Sequence, residues 1–146
     1  MRAGAPKLDL SSVEAFKRAL LNARSVAHSA EGASSPYFQS LLGRLDIAEQ
    51  MKPKLRPMSG GGGLLQNIAS GEDEIVVVSI PTIVAAPGVD LAGPLPSELQ
   101  TAISFAAGIL TSAKEPEVAQ AMIRFFTSPK ATATLRTLGW EPGAPR

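Results

Sequence analysis

The feature that most constrains the fold is an unbroken run of mostly β-branched residues near the middle of the chain, EIVVVSI over 74–80. Such a run is apolar on both faces of a strand. A strand of this kind is buried on both sides, as in parallel sheets that carry helices on either face. Pro81 ends the run because proline has no backbone N–H to give to a sheet. The run therefore predicts a buried strand over 74–80.

Strand and helix patterns alternate around this strand. Ser11 and Glu14 form a capping box, which predicts an amphipathic helix from Ser11 to Asn22. The other predicted elements are strands over 24–29, over 53–58 at a sheet edge and around 89–91, helices that begin at Pro36 and near Gly63, and a helical turn over 46–51. This alternation predicts an α/β protein with a mainly parallel or mixed sheet.

The C-terminal third predicts two capped helices. Pro116 suits a first helical position, and an apolar stripe follows it at helical spacing, formed by Val118, Ala121, Met122 and Phe125. Ser128 is the predicted N-cap of the second helix, with Pro129 after it. Gly139 is predicted to end that helix, and Trp140 to pack back on it. Before these helices, strand-like content over 99–110 predicts a long crossing segment.

Composition excludes several classes of function. The 146 residues suffice for one domain or a piece of a larger protein, and 14 basic against 13 acidic residues leave a net charge of +1. That balance points to neither a nucleic acid nor an anionic membrane as partner. The chain has no cysteine and one histidine, His28, so disulfides, cysteine nucleophiles and transition-metal sites lack their ligands. We expect no cofactor.

The sequence carries no targeting or membrane signal. No apolar run approaches the roughly 18 residues that a membrane span needs. The first residues, MRAGAPK, lack the apolar core of a signal peptide. As written, the chain is expected to stay in the cytoplasm.

Two loops are candidate anion sites. The segments 29–35 and 59–63 each lead from a predicted strand to a helix start through small residues, so backbone N–H groups are able to approach an anion closely. The loops meet at the carboxyl ends of the strands, where open α/β sheets bind ligands. The competing interpretation is that the serines only cap helices and the glycines only make turns.

Other kinds of site find less support. The glycine run 60–63 is followed by Leu64-Leu65, so it lacks the Lys-Ser/Thr of a phosphate-binding P-loop. No Gly-x-Ser-x-Gly elbow accompanies His28, and a lone strand histidine is usually structural. Tyr37 lies in the first turn of its helix and belongs either to the core or to the cleft. We expect a binding protein and not an enzyme.

Several of these segments resemble the periplasmic solute-binding proteins of ABC transporters, especially the molybdate-binding type. The matching segments are 104–143, the opening RAGAPK, the helix 11–22, the loop 26–35 with Tyr37, the glycine loop before Leu64, the strand 75–79, and PGVD with GPLP over 87–96. The resemblance covers nearly the whole chain. It implies a type II periplasmic-binding-protein fold: a three-layer α/β lobe with a mixed sheet, plus C-terminal helices of the other lobe.

The resemblance also implies a division of the chain and a set of site residues. Residues 1–98 would form the second lobe with the first crossing strand, and 99–146 the return crossing and the C-terminal helices of the first lobe. Most of the first lobe, and half of the anion site with it, would lie outside this chain. The tyrosine ligand of the molybdate binders falls at about Ser79, and a serine is too short to replace a phenol directly. The resemblance implies backbone donors at Ser34 and Gly61, and together with the two loops it gives the candidate ligand residues Ser29, Ser34, Ser35, Gly60, Gly61 and Ser79.

The function implied is that of a solute-binding protein fragment. It would bind a small oxyanion, such as molybdate, and deliver it to a transporter permease in the periplasm. One alternative is the effector-sensing domain of a transcription regulator, which shares this fold. Another is a self-associating module, because apolar helices without their lobe favour a homodimer.

Overall fold

The chain is described by a computed structural model that covers residues 1–59 and 61–143. It forms two compact units, one spanning Met1–Ala102 and the other beginning at Ile103. The elements are α1 (Val13–Asn22), β1 (Val26–Ser29), α2 (Ser35–Arg44), α3 (Ala48–Met51), β2 (Leu55–Met58), α4 (Gly61–Ser70), β3 (Ile75–Val77), α5 (Ile80–Val84), α6 (Pro116–Phe126) and α7 (Pro129–Thr137), with 3₁₀ turns at Lys52–Lys54 and Ser97–Leu99.

The three strands form a parallel sheet in the order β2-β1-β3. Val26 of the central strand is aligned with Leu55 on one side and with Ile75 on the other. Arg2 and Val89 form an isolated antiparallel bridge. The short strand predicted around 89–91 is thus reduced to this one bridged residue. The predicted α/β class is confirmed, and so is the edge position of β2.

The sheet lies between two helical layers because alternate strand residues point to opposite faces. Val26 and Ile75 belong to an apolar cluster with α1 and α2, which contribute Phe16, Leu20, Phe38, Leu41 and Leu42. Their neighbours Ala27 and Val76 belong to a second cluster with Leu64 and Ile68 of α4 and Ile83 of α5. The two clusters give the first unit three layers. The strands β1 and β3 are therefore buried on both sides, whereas Arg56 and Pro57 of the edge strand β2 are exposed.

Two predicted element boundaries were wrong by a small margin. The N-cap of α1 is Ser12, whose hydroxyl accepts from the Ala15 amide, and not Ser11. The Ser11 hydroxyl instead donates to the Asp9 carboxylate at 2.6 Å. The strand predicted over 74–80 is β3, which spans only Ile75–Val77 because the chain turns at Ser79, the N-cap residue of the short helix α5.

Two further predictions need a larger correction. The segment 59–63 is not a loop throughout, since α4 already begins at Gly61, although glycine is a poor helix former. The segment 99–110 forms no strand; it starts in a 3₁₀ turn and continues without regular structure. A strand needs a hydrogen-bonded neighbour, and residues 100–110 pair with no strand in the described parts of the chain.

The second unit contains the two helices predicted at the C-terminus. The Ser128 hydroxyl caps α7 by accepting from the Ala131 amide at 3.3 Å. Gly139, with φ of 82°, follows α7, and Trp140 donates its amide to the Leu135 carbonyl. The Trp140 ring lies 5.3 Å from that of Phe105 in an edge-on arrangement. The helix boundaries predicted from Pro116, Ser128 and Gly139 are confirmed, whereas the lobe to which these helices belong stays a prediction.

Candidate functional site

The candidate site lies where the three parallel strands end. Because the strands run in one direction, their carboxyl ends share one edge of the sheet, and each is followed within a few residues by a helix. Helix α2 follows β1, α4 follows β2 and α5 follows β3. This edge is the usual ligand side of an open α/β sheet. The structure thus brings the loops that carry the predicted site residues to one edge.

The loop between β1 and α2 is held by its own hydrogen bonds. The Ser29 hydroxyl accepts from the Gly32 amide at 2.8 Å, and the Gly32 carbonyl accepts from the Ser35 amide at 2.9 Å. A Cβ at Gly32 would lie 2.6 Å from the Ser29 hydroxyl oxygen, so the close turn requires glycine. Ser34 stands at the N-cap position of α2, and its side chain makes no capping bond. Of the predicted ligand residues in this loop, only Ser35 lines the recess described next, whereas Ser29 and Ser34 do not.

A recess opens beside this loop at the start of α2. Its volume is about 330 Å³, and it is lined by Ala30, Glu31, Gly32, Ser35, Pro36 and Gln39. Ser35 is buried at its base, where its hydroxyl accepts from the Gln39 side-chain amide at 3.5 Å. The recess is large enough for a small ligand and lies against a helix N-terminus, where backbone N–H groups favour an anion.

The loop after β2 contacts the loop after β1. The Ala30 amide donates to the Met58 carbonyl at 2.9 Å, and the Ser59 hydroxyl donates to the Glu31 carboxylate at 3.0 Å. Gly61 is the first residue of α4, so its position at a helix start agrees with the prediction. Gly60, the other predicted glycine, lies outside the described residues.

Ser79 is engaged within its own helix. It is the N-cap residue of α5, and its hydroxyl shares a 2.8 Å hydrogen bond with the Thr82 hydroxyl. Its carbonyl accepts from the Thr82 amide. Ser79 lies at the predicted edge, but its side chain already has a partner there.

The two other residues considered in the sequence are part of the core beneath the site. His28 is 3% exposed, its Nδ1 donates to the Ser29 carbonyl at 3.0 Å, and its ring lies 5.5 Å from that of Phe38. Tyr37 packs against the same apolar cluster, and its hydroxyl donates to the Leu99 carbonyl. His28 is therefore a buried residue that holds the loop after β1 through the Ser29 carbonyl. Tyr37 belongs to the core and not to the cleft.

A second cavity lies along the edge strand β2 and extends to the amino end of the sheet. It has a volume of about 370 Å³ and is lined by Arg24, Ser25, Arg56, Pro57, Met58, Asn67, Glu72 and Asp73. Four of these residues directly precede β1 or β3, which puts them at the amino end of the sheet. The predicted ligand residues are not among them. In the described part of the chain, His, Asp and Glu form no group of three or more that could hold a metal ion.

The family model for bacterial extracellular solute-binding proteins matches residues 1–141. The chain belongs to this family. It is also 30% identical over 145 residues to an aconitate isomerase from a Pseudomonas species, a match that covers 97% of this chain and 54% of that protein. The chain thus spans about half the length of this relative. No solved structure matches the chain significantly.

Membership confirms the resemblance to solute-binding proteins at the level of the family. Such proteins bind a small solute outside the cytoplasm and act with a transporter, so family membership implies an extracellular or periplasmic location and not the cytoplasmic one expected from the N-terminal residues. Among the described helices, none has the length and apolar character required to cross a membrane.

Sequence reasoning missed several residues that line the candidate recess. Glu31 and Gln39 were not among the predicted ligand residues, although both line it. The position of Glu31, two residues after the strand end, was an available signal because a side chain there must lie at the ligand edge. Gln39 lies one helical turn after Ser35, a spacing that the helix start at Pro36 already implied.

Proposed function

We propose that this chain is the ligand-binding part of a solute-binding protein that captures a small oxyanion at the carboxyl edge of its sheet. The observation that carries the proposal is the recess of about 330 Å³ at the start of α2, within hydrogen-bond contact of the loop that leads to α4. Both helices have 10 residues, and the N-terminus of such a helix carries roughly half a positive charge. Hydroxyls and backbone N–H groups would supply neutral donors.

Among oxyanions, an organic carboxylate is the better candidate than molybdate. The relative with 30% identity is named for aconitate, which carries carboxylate groups. The position that resembles the molybdate binders' tyrosine holds Ser79, whose hydroxyl is bonded to Thr82. In the complete protein, closure of a second lobe over the ligand and delivery to an ABC transporter permease would follow.

A thermal-shift screen tests the binding proposal. The panel contains aconitate, citrate, molybdate, tungstate, sulfate and phosphate. A ligand at about 100 times its Kd adds about 2.7 kcal/mol to the free energy of unfolding, so binding is expected to raise Tm clearly. No rise with any of these anions would contradict the proposal.

Two serine variants show where the anion binds. Ser35→Ala removes the one serine hydroxyl that lines the recess and is expected to weaken binding about fivefold, the worth of one hydrogen bond. Ser40→Ala changes the same residue type on the exposed part of the same helix and is expected to leave binding unchanged. Equal affinities for the two variants would place the anion elsewhere.

An isomerase is a second candidate, favoured only by the name of the relative. We propose instead that the chain binds without chemistry. An NMR experiment distinguishes an isomerase from a binding protein: the chain is incubated with one isomer of aconitate and the ligand signals are followed over time. Turnover above the uncatalysed rate would establish the enzyme, whereas line broadening without conversion would support binding alone.

Self-association is favoured by the exposed apolar residues of the second unit. Val118, Met122 and Phe125 lie along one stripe of α6 and are each more than half exposed. Covering such a stripe with a second copy would remove apolar surface from water. Sedimentation velocity over a range of concentrations is expected to show dimer for the native chain and less dimer for Met122→Gln. A monomer at every concentration would contradict this proposal.

A further inference from the structure

The second cavity, along the edge strand β2, carries charged side chains of both signs. Its volume is about 370 Å³, within the range of small-molecule sites, and Arg24, Arg56, Glu72 and Asp73 are among the residues that line it. In the described part of the chain, none of these four side chains forms an ion pair with another. Two positive and two negative groups therefore share one space without pairing directly.

The Asp73 carboxylate is the buried member of this group. Asp73 is 5% exposed, and its carboxylate accepts one side-chain hydrogen bond, from the Asn67 amide at 3.3 Å. A carboxylate has about four acceptor positions, and a buried charge is costly unless it is paired and hydrogen-bonded. Among the described residues no cation is bonded to it. The cavity thus contains a buried negative group with capacity for a further partner.

Ser25 is a second buried polar residue in the cavity wall with unused capacity. It is 4% exposed, and its hydroxyl accepts from the Glu74 amide at 3.1 Å. The proton of that hydroxyl is donated to no acceptor within the described ranges. Because buried polar groups are normally satisfied, Ser25 and Asp73 together indicate a polar occupant beside them.

The two arginines are held by backbone carbonyls and not by the acids. Arg24 donates from Nη2 to the Gly71 carbonyl at 2.9 Å, and Arg56 donates from Nη1 to the Pro53 and Leu55 carbonyls at 3.0 and 3.1 Å. A guanidinium has five N–H donors, so each side chain keeps donors for a ligand. Both residues are exposed, which puts them on the solvent side of the cavity. Guanidinium donors in this number suit a carboxylate.

We propose that this cavity binds a small zwitterion, an α-amino acid, whose ammonium group pairs with Asp73 and whose carboxylate pairs with Arg24 and Arg56. An anion alone meets the repulsion of Asp73, and an amine alone meets that of the arginines. A ligand with both charges matches all three side chains, and the Ser25 hydroxyl adds a donor. The cavity shares no lining residue with the recess at the start of α2, so this inference is independent of the proposed anion site.

Isothermal titration calorimetry on the full chain with alanine and two analogues tests the proposal. N-acetylalanine lacks the ammonium group, and alaninamide lacks the carboxylate. We expect alanine to bind about tenfold or more tightly than either analogue, because each analogue loses a charged hydrogen-bonding partner. Equal affinity for alanine and one of the analogues would overturn the proposal. Absence of alanine binding would also overturn it, and would leave Asp73 and Ser25 to ordered water.

Two variants assign the two charges of the ligand to the cavity. Asp73→Asn keeps the size of the side chain and is expected to weaken alanine binding about tenfold and to remove the preference over N-acetylalanine. Arg56→Gln is expected to weaken alanine binding and to reduce the preference over alaninamide. Arg56 is exposed on the edge strand, so its variant carries the test even if Asp73→Asn fails to fold.

Matched controls make the same charge changes outside both cavities. Asp46→Asn and Arg44→Gln alter exposed residues at the end of α2 and are expected to leave alanine affinity unchanged. Equal effects of Arg56→Gln and Arg44→Gln would overturn the proposal. Ser35→Ala separates it from the anion site, since alanine bound in this cavity is unaffected by that change. Loss of alanine binding in Ser35→Ala, but not in Arg56→Gln, would place the amino acid in the recess instead.

Discussion

Gly32 is the residue of the candidate site whose identity is most tightly set by its surroundings. A Cβ there would lie 2.6 Å from the oxygen and 2.9 Å from the Cβ of the Ser29 side chain. Gly32→Ala is therefore expected to lower the free energy of unfolding by about 1–3 kcal/mol, because the turn must open to admit the methyl group. Urea denaturation measures the change.

Gly43→Ala is the matched control for this substitution. Gly43 lies in α2, and an added Cβ would meet no atom within 4 Å. Alanine is the better helix former by roughly 0.5–1 kcal/mol, so this variant is expected to be more stable than the native chain. Equal destabilisation by the two substitutions would show that the contact with Ser29 does not explain the effect at Gly32.

The ionisation of Asp9 is expected to make the stability of the fold depend on pH. Hydrogen bonds from the Ser11 hydroxyl and the Ser11 amide, with a smaller effect from Arg18, lower the pKa of Asp9 from its ordinary value of 3.8. A carboxyl whose pKa is lower in the folded state stabilises the fold above its unfolded pKa and loses that effect as the pH falls through the folded value.

Comparison with Asp9→Asn tests this prediction. Urea unfolding of both proteins, from neutral pH down to below the ordinary titration range of aspartate, is expected to show a stability difference that is largest at neutral pH and shrinks on acidification. The effect is small because Asp9 and Arg18 are exposed, with 61% and 64% of their side chains accessible to solvent. A stability difference between the native chain and Asp9→Asn that does not change with pH would contradict the lowered pKa of Asp9.

At the scale of elements, the start of α1 shows how one hydroxyl defines a helix end. Ser12→Ala removes the side-chain acceptor of the Ala15 amide and is expected to destabilise the chain by about 1 kcal/mol. Ser11→Ala removes only the exposed bond to Asp9 and is expected to cost less. Thermal unfolding gives the loss of stability of each variant. A larger loss for Ser11→Ala than for Ser12→Ala would support Ser11 as the N-cap, as the capping box predicted.

Helix ends were more predictable than strand ends because they depend on nearby residues. Pro116, Ser128 and Gly139 marked the boundaries of α6 and α7 correctly, since capping and proline geometry act within one helical turn. Two adjacent serines left the start of α1 ambiguous by one residue. The run over 99–110 has strand-like composition, but a strand requires a neighbour that local sequence does not reveal.

At the scale of the whole molecule, the two units differ in how much they bury. Among residues 103–143 only Ala131 is buried, whereas the first unit contains two apolar clusters. Helices as short as α6 are marginal in water without packing. The amides of α6 and α7 are therefore expected to exchange with deuterium far faster than those of β1 in a dilute sample. Equal protection in both units would show that this packing difference does not control opening.

The edge of the sheet where the candidate loops lie was predictable from the sequence, whereas the partners of their side chains were not. Parallel strands followed by helices imply a common ligand edge, so Ser29, Ser34 and Ser35 could be assigned to it from the sequence. Which hydroxyls remain available depends on partners brought from elsewhere. Ser59 is bonded to Glu31 across two loops, and such a contact between residues 28 positions apart leaves no local pattern.

The parallel order of the sheet also bears on how such a protein diversifies. The recess is built mainly from a loop that begins after β1 has completed its pairing with both neighbours. Changes in the length or composition of that loop leave the strand register beneath it untouched. On the proposed function, grafting this one loop from a relative is expected to exchange selectivity, so that many specificities would arise on an unchanged sheet.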